Sequence, residues 1–274
     1  MPELPEVEVI CRGLAPNLIG CRILATSFSN KKLRLPVPQK LISEKINGHR
    51  ILQVERRAKF IMITMDSAFI LVIHLGMTGR LGFFAPATTP ARHDHVRWRL
   101  DNNMELRFND TRRFGSVQVF KETEINDTDL FTSLGPDPFW DSFSASYLME
   151  KSRKRTSPIK NFLMDNRIVV GIGNIYASEI LFNVRIHPVT PAQKLDRSQW
   201  EMIVQGSREI LSKAIAEGGT TIADYVNSSG EKGYFQHKLK VYGKNGNPCS
   251  ICRTPISRQV MAGRATFFCG KCQK

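Results

Sequence analysis

The sequence predicts an α+β chain: a first helix, an antiparallel β-sandwich or barrel, a helical segment, and a small metal-stapled hairpin. Three observations predict it. Apolar residues recur at helical spacing directly after Pro5. Many β-sized apolar segments then crowd together before residue 121. Helical periods return after residue 150 and run into a C-terminal pattern of paired cysteines.

The first helix is marked by Pro5 at the position an N1 proline takes and by Glu6 and Glu8 in the first turn. Val7, Ile10, Cys11, Leu14 and Leu18 form its apolar stripe, and Gly20 is its expected terminator. The expected strands are "RILATSF", "RILQVERR", "FIMITM", "FILVIHLG", "HVRWRL", "MELRFND" and "SVQVF". "DSA" (66–68) and "DNN" (101–103) carry turn chemistry between strands. The stretch from Glu122 to Phe143 has no clear period, holds Gly135, Pro136 and Pro138, and reads as a connector.

Three helices are expected beyond it. "TSPIKNFLMD" offers Ser157 as N-cap with Pro158 at N1, and "GIGNIYASEILF" offers Asn174 as N-cap. "SQWEMIVQGSREILSKAIAEGG" carries a capping box, Ser198 with Glu201, and ends at Gly218-Gly219. "VNSSGEKGYF" is small and polar, as a mobile loop is.

At 274 residues the chain is long enough for one large domain or two ordinary ones, and 42% hydrophobic residues exclude a disordered chain. No apolar run approaches the roughly 20 residues of a membrane span. The acidic N-terminus has no signal-peptide core, so a soluble cytoplasmic protein is expected. The net charge of +14 is uneven. Residues 1–120 hold 18 basic and 10 acidic side chains (+8), residues 121–150 hold 1 and 7 (−6), and residues 151–274 hold 20 and 8 (+12). Two basic blocks around an acidic connector suit a polyanion, most simply nucleic acid; a solubility role is the plainer alternative.

Cys249, Cys252, Cys269 and Cys272 follow C-x2-C-x16-C-x2-C, the spacing of a zinc ribbon. Four thiolates fill a tetrahedral shell, so one structural Zn2+ is expected. Two disulfides are the competing reading, which a cytoplasmic chain disfavours. Between the pairs, Arg264 stands just before a strand that leads back to the metal.

"MPELPEVE", "RRAKF" (56–60), "HLGMTGRL" (74–81), "HDHV" (93–96), "FNDTRRFG" (108–115), "LGPDP" (134–138), "MDNRIVVGIGNIYASEILF" (164–182), "IHP" (186–188), "GGTT" (218–221) and "VYGKNGNPC" (241–249) precede the ribbon in that order. Together they resemble the bacterial formamidopyrimidine-DNA glycosylases, essentially from end to end. The resemblance implies an N-terminal helix plus antiparallel β-sandwich lobe, then a helical helix–two-turn–helix lobe with a C-terminal four-cysteine zinc-finger β-hairpin, and DNA in a basic cleft between the lobes. It implies a catalytic lobe over 1–130, a connector over 131–150, a DNA-binding domain with a lesion loop over 151–236 and the zinc finger over 237–274.

It also implies an activity: removal of 8-oxoguanine and ring-opened purines from double-stranded DNA, with strand cleavage at abasic sites, by a monomer. Pro2, freed of Met1, is then the amine nucleophile and Glu3 the carboxyl that moves protons at the same sugar. Read from the residues alone, "PELPE" caps a helix. Lys59 resembles the lysine that assists β-elimination, and Arg264 the finger arginine of δ-elimination and phosphate contact. His93, Arg112 and Arg155 match DNA-binding positions; "SRKRTSPIK" departs from the family's lysine-rich stretch, so Lys154 is the alternative to Arg155. Lys160 and Asn174 match groups that grip phosphates, and Met77, Arg112 and Phe114 the trio that enters the duplex when a nucleotide flips out. "GGTTIADYVNSSGEKGYF" matches the loop that closes over the flipped base. Two other readings stand beside this one: a sister glycosylase of oxidised pyrimidines, whose chains resemble "MPEGPE" at the start, and a catalytically silent zinc-ribbon DNA-binding protein.

Overall fold

A computed structural model of the chain describes residues 1–219 and 238–274. The segment matching the closing loop lies outside the described residues, apart from Gly218 and Gly219. Two compact units are present: Met1–Thr132 with residues 217–219, and residues 133–216 with 238–274.

The first unit opens with helix α1, Leu4–Leu18. Its predicted stripe, Val7, Ile10, Cys11, Leu14 and Leu18, is buried throughout. The helix starts one residue earlier than the proline suggests: Leu4 is the first helical residue, Pro5 the second, and Glu3 the N-cap. Glu3 and Glu6 close a reciprocal capping box, which satisfies two backbone N–H groups that a proline alone would leave open. Gly20, at φ +89°, turns the chain away from the helix.

Two four-stranded antiparallel sheets follow. One has the order β1-β6-β7-β5 (Ile23–Phe28, Asp94–Leu100, Glu105–Asp110, Gly79–Phe84). The other has the order β2-β3-β4-β8 (Ile51–Arg57, Phe60–Met65, Phe69–His74, Ser116–Lys121). Trp98, Leu106 and Phe108 from the first meet Ile61, Ile63, Leu71 and Val117 from the second in one core shared with α1, which makes the architecture a sandwich. Strand β5 was not anticipated, because Gly79 and Gly82 dilute its β signal; pairing with β7 from Gly79↔Asp110 to Phe84↔Glu105 holds it. The turns at 66–68 and 101–103 are where expected, with Ala68 and Asn103 at φ +59°. Helix α2, Gln39–Lys45, was also unanticipated; it buries only Ile42, too little to write a period.

The expected connector is more structured than its sequence suggests. It contains the short helix α3, Asp129–Thr132, and leads into α4, Ala145–Ser152, which Ser144 caps by accepting the Tyr147 N–H at 3.2 Å.

The second unit continues with α5 (Ile159–Leu163), α6 (Asn174–Asn183) and α7 (Arg197–Ala216). Each expected cap is displaced by a residue or two. Pro158, not Ser157, precedes α5; Gly173 is the N-cap of α6, so Asn174 is its first helical residue; Asp196 caps α7 through the Gln199 N–H at 2.8 Å, in place of Ser198. Strands β9 (Ser257–Met261) and β10 (Arg264–Phe268) form the C-terminal hairpin. Phe182 from α6 packs with Val241, Ile256 and Phe267 around Cys249 and Cys269. No helix among the described residues is long and apolar enough to cross a membrane.

Candidate functional site

The capping of α1 determines where the chain's tip lies. Glu3 donates its backbone N–H to Glu6 Oε2 at 2.8 Å, and both carboxyl groups are almost fully buried. Pro2 is buried beside them. The terminal ammonium of Met1 is held below its ordinary value, chiefly by burial. Glu3 and Glu6 oppose that drop, while the charges of Lys59 and Arg112 add to it. An amine at this tip is therefore biased toward its neutral, nucleophilic form, and it shares its electrostatic surroundings with two carboxyls and two cations.

Lys59 reaches this neighbourhood through the β2–β3 hairpin. Ala58, at φ +55°, makes the turn, and Lys59 follows it, 7% exposed. Arg56 fixes the hairpin to α1 by bonding Glu8 at 2.9 Å and the Ala58 carbonyl at 3.1 Å. His74 packs its ring 5.1 Å from that of Phe60 and accepts the Gly76 N–H on Nδ1 at 3.1 Å. Burial, aided by Arg34 and Lys59, pushes the His74 pKa down to about 4. The end of the 217–219 segment lies against the same centre: a Cβ at Gly219 would stand 3.2 Å from Glu6 Oε1.

Met77, Arg112 and Phe114 are all exposed on the sandwich, with the Arg112 guanidinium 4.7 Å from the Phe114 ring centre. His93 is half-buried at the start of β6, and its carbonyl accepts the Asp110 N–H at 3.0 Å.

In the second unit Lys160 is fully buried and donates from Nζ to Asn174 Oδ1 and to Thr266 Oγ1, the latter at 2.8 Å. Asn174 in turn donates to the Ala265 carbonyl at 3.0 Å and approaches the Tyr242 hydroxyl at 3.5 Å. The first turn of α6 thus gathers a lysine, an amide and a phenol against strand β10, whose first residue is the exposed Arg264. Glu179, buried in α6, accepts the backbone N–H groups of Lys240, Val241 and Tyr242 at 2.8 to 2.9 Å and so seats Tyr242. Arg155 and Lys154 are both exposed just before α5.

The four cysteines carry no disulfide, and their sulfur atoms lie within 4.8 Å of one another. Cys249 and Cys272 stand 3.9 Å apart, Cys252 and Cys269 3.4 Å. A tetrahedral zinc with bonds of about 2.3 Å spaces its sulfurs by about 3.8 Å, so this donor set fits one Zn2+. With four thiolates no position is left for substrate, and the ion staples the hairpin.

Three family models match in sequence order. They are the formamidopyrimidine-DNA glycosylase N-terminal domain over residues 1–117, the formamidopyrimidine-DNA glycosylase H2TH domain over 134–226, and the zinc finger found in FPG and IleRS over 246–274. The chain belongs to the formamidopyrimidine-DNA glycosylase family. A relative of that name from Legionella pneumophila (strain Lens) is 44% identical over 100% of this chain and 98% of its own length. Another, from Escherichia coli (strain K12 / DH10B), is 43% identical over 100% of both. Among solved structures, a Lactococcus lactis FPG mutant in complex with Fapy-dG containing DNA superposes with a TM-score of 0.93 at 32% identity, covering 100% of both chains. The Lactococcus lactis Fpg with an abasic site containing DNA gives 0.91 at 32% identity over 99% of both. The wild-type Lactococcus lactis FPG with an oxidized pyrimidine containing DNA gives 0.91 at 31% identity over 100% of both.

Within this family fold, the expected catalytic, DNA-contact and zinc-binding residues all lie in described segments, and the two units divide them. Pro2, Glu3, Lys59, Met77, His93, Arg112 and Phe114 are in the first; Arg155, Lys160, Asn174, Arg264 and the cysteines are in the second. Sequence reasoning had passed over Glu6, His74, Asp110, Glu179, Tyr242 and Thr266. Glu6 was legible only as a first-turn acid, and the others join the site through contacts between distant segments.

Proposed function

We propose that this chain is a bifunctional DNA glycosylase and AP lyase of base excision repair. It excises 8-oxoguanine and formamidopyrimidines from double-stranded DNA and cleaves the strand at the abasic site. The observation that carries the reading is the chain tip: buried surroundings that lower the pKa of a terminal amine, with Glu3, Glu6 and Lys59 beside it.

The damaged nucleotide leaves the stack, since C1′ is inaccessible in paired DNA. Once Met1 is removed, the secondary amine of Pro2 attacks C1′ and the bond to the base breaks, the amine's proton leaving with the base. The C1′–O4′ bond then breaks, O4′ takes a proton by way of Glu3, and an iminium joins Pro2 to the opened sugar. Glu3 moves protons at this sugar. Loss of a C2′ proton then expels the 3′ phosphate, a step that Lys59 assists, and Arg264 assists loss of the 5′ phosphate. Lys160 and Asn174 hold phosphates at the start of α6, as anion sites at helix N-termini do. Arg112 pairs with the orphaned base, Phe114 and Met77 fill the void, and His93 and Arg155 add backbone contacts. Zn2+ holds the finger that carries Arg264 and takes no part in the bond changes.

The division into a catalytic lobe over 1–130, a connector over 131–150, a helical DNA-binding domain over 151–236 and a finger over 237–274 belongs to the same proposal, as do a monomeric state and a cytoplasmic location. The family matches over 1–117, 134–226 and 246–274 support that order. Oxidised pyrimidines are a second substrate class, favoured by the relative crystallised on such DNA.

Borohydride trapping on 8-oxoguanine and abasic duplexes tests the reading, with mass spectrometry reporting the state of residue 1. Protein beginning at Pro2 should form the adduct. Protein retaining Met1 should bind and fail to trap, because its Pro2 nitrogen is an amide. Full trapping by protein that keeps Met1 would move the covalent bond elsewhere, with Lys59 next.

A further inference from the structure

We infer that Asp110 and Thr78 are positioning residues that lock the void-filling side chains into one rigid unit, so that recognition of the base opposite the lesion depends on them. The inference rests on the proposed roles of Met77, Arg112 and Phe114.

Asp110 is fully buried at the end of β7, and every polar part of it is engaged. Its Oδ1 accepts the Thr78 hydroxyl at 2.5 Å, and its Oδ2 accepts the Gly115 N–H at 2.8 Å. The Thr78 oxygen accepts the Arg112 N–H at 3.1 Å. One carboxylate therefore ties the turn carrying Met77 to both ends of the loop carrying Arg112 and Phe114. The Asp110 backbone also holds β6: its N–H meets the His93 carbonyl at 3.0 Å, and its carbonyl meets His95 Nε2 at 2.9 Å. Since a carbonyl only accepts, His95 donates from Nε2, while its Nδ1 stands 2.9 Å from the Ser29 hydroxyl.

Steric contact adds an independent constraint. Gly76, at φ +61°, lies so close to the second loop that a Cβ there would stand 2.5 Å from the Phe114 carbonyl carbon and from the Gly115 nitrogen. A Cβ at Gly115 would stand 2.7 Å from the His74 carbonyl oxygen. The two loops are pressed together backbone to backbone, and Arg113 takes φ +59° within the second. The exposed Met77, Arg112 and Phe114 thus project from a base whose own hydrogen bonds are complete. Side chains that must enter a duplex and read one base edge need such a base, because small misplacements at a reading site are costly.

The test uses Thr78→Val, Thr78→Ser, Asp110→Asn and Arg112→Ala in the full-length processed protein. Single-turnover excision of 8-oxoguanine is measured opposite cytosine and opposite adenine, with circular dichroism as the check on folding. Thr78→Val should slow excision opposite cytosine about tenfold and narrow the cytosine-to-adenine ratio. Thr78→Ser, which keeps the hydroxyl, should restore both, and Asp110→Asn should act as Thr78→Val does. Folded Thr78→Val with the parent's rates and ratio would overturn the inference. If Arg112→Ala loses the ratio while Thr78→Val keeps it, the trio's role stands and the lock is wrong. If Arg112→Ala itself keeps the ratio, the assignment of the trio fails and the inference falls with it.

Discussion

Arg56 bonds Glu8 at 2.9 Å, and this one pair joins the hairpin that carries Lys59 to the helix that carries Pro2 and Glu3. The guanidinium is 8% exposed and the carboxylate 21%, so neither is well served by water. Arg56→Met leaves Glu8 to its other partner, Arg12, and Glu8→Gln removes the negative charge that faces Arg56. Either should cost about 1 to 2 kcal/mol in unfolding free energy, between the values for an exposed pair and a fully buried one. Because the pair spans the two elements, borohydride trapping should fall further than DNA affinity. Urea unfolding beside trapping assays checks both; unchanged stability in either variant would show that the pair is spectator geometry.

The four-thiolate centre predicts one zinc per chain. Cys249→Ser or chelation should release it and open the hairpin core of Ile256 and Phe267. DNA binding should weaken while the sandwich of the first unit remains folded. Atomic absorption, near-neutral binding assays and thermal unfolding together read this out, and active protein free of zinc would refute it.

His74 predicts an acid-side loss of stability. Its pKa is pushed down to about 4 in the folded chain from an ordinary 6.5. Between those values the unfolded chain binds the proton and the folded chain does not. The stabilisation is therefore complete above about 6.5 and lost as pH falls toward about 4, up to about 3 kcal/mol. His74→Asn keeps an acceptor for the Gly76 N–H and should flatten that part of the curve. Urea midpoints for both proteins across this window decide it; parallel curves would place the titration elsewhere.

A net charge of +14 predicts steep salt dependence. Lys59, Arg112, Arg155, Lys160 and Arg264 are the cations proposed to face phosphates or the duplex. Some five such contacts lower affinity about five-hundredfold between about 50 and about 200 mM salt. Arg155→Ala should reduce the log–log slope by about one. Fluorescence anisotropy against salt measures it, and a flat line would leave the charge a role in solubility alone.

Much of this was legible in the residues. The stripe of α1, most strands of the sandwich, the helices after residue 150 and the cysteine spacing all follow from local periodicity and ligand chemistry. Those signals repeat within a few residues, so no knowledge of distant segments is needed. Strand β5 and helix α2 were not legible. Two glycines hide the first, and the second buries a single residue. The helix caps slipped by a residue or two because Glu3, Gly173 and Asp196 won their positions through hydrogen bonds that several polar neighbours could equally have made.

The sequence by itself determined the chemical inventory: an amine-bearing tip with a carboxyl next to it, a lysine in "RRAKF", an arginine before the last strand and a saturated metal site. Tertiary structure alone decided what surrounds each of them. Lys160 finds Thr266 across 106 positions, Arg56 finds Glu8 across 48, and Asp110 finds Thr78 across 32. A side chain's identity is local, but its partner, its burial and therefore its protonation depend on which distant backbone the packed core brings alongside it.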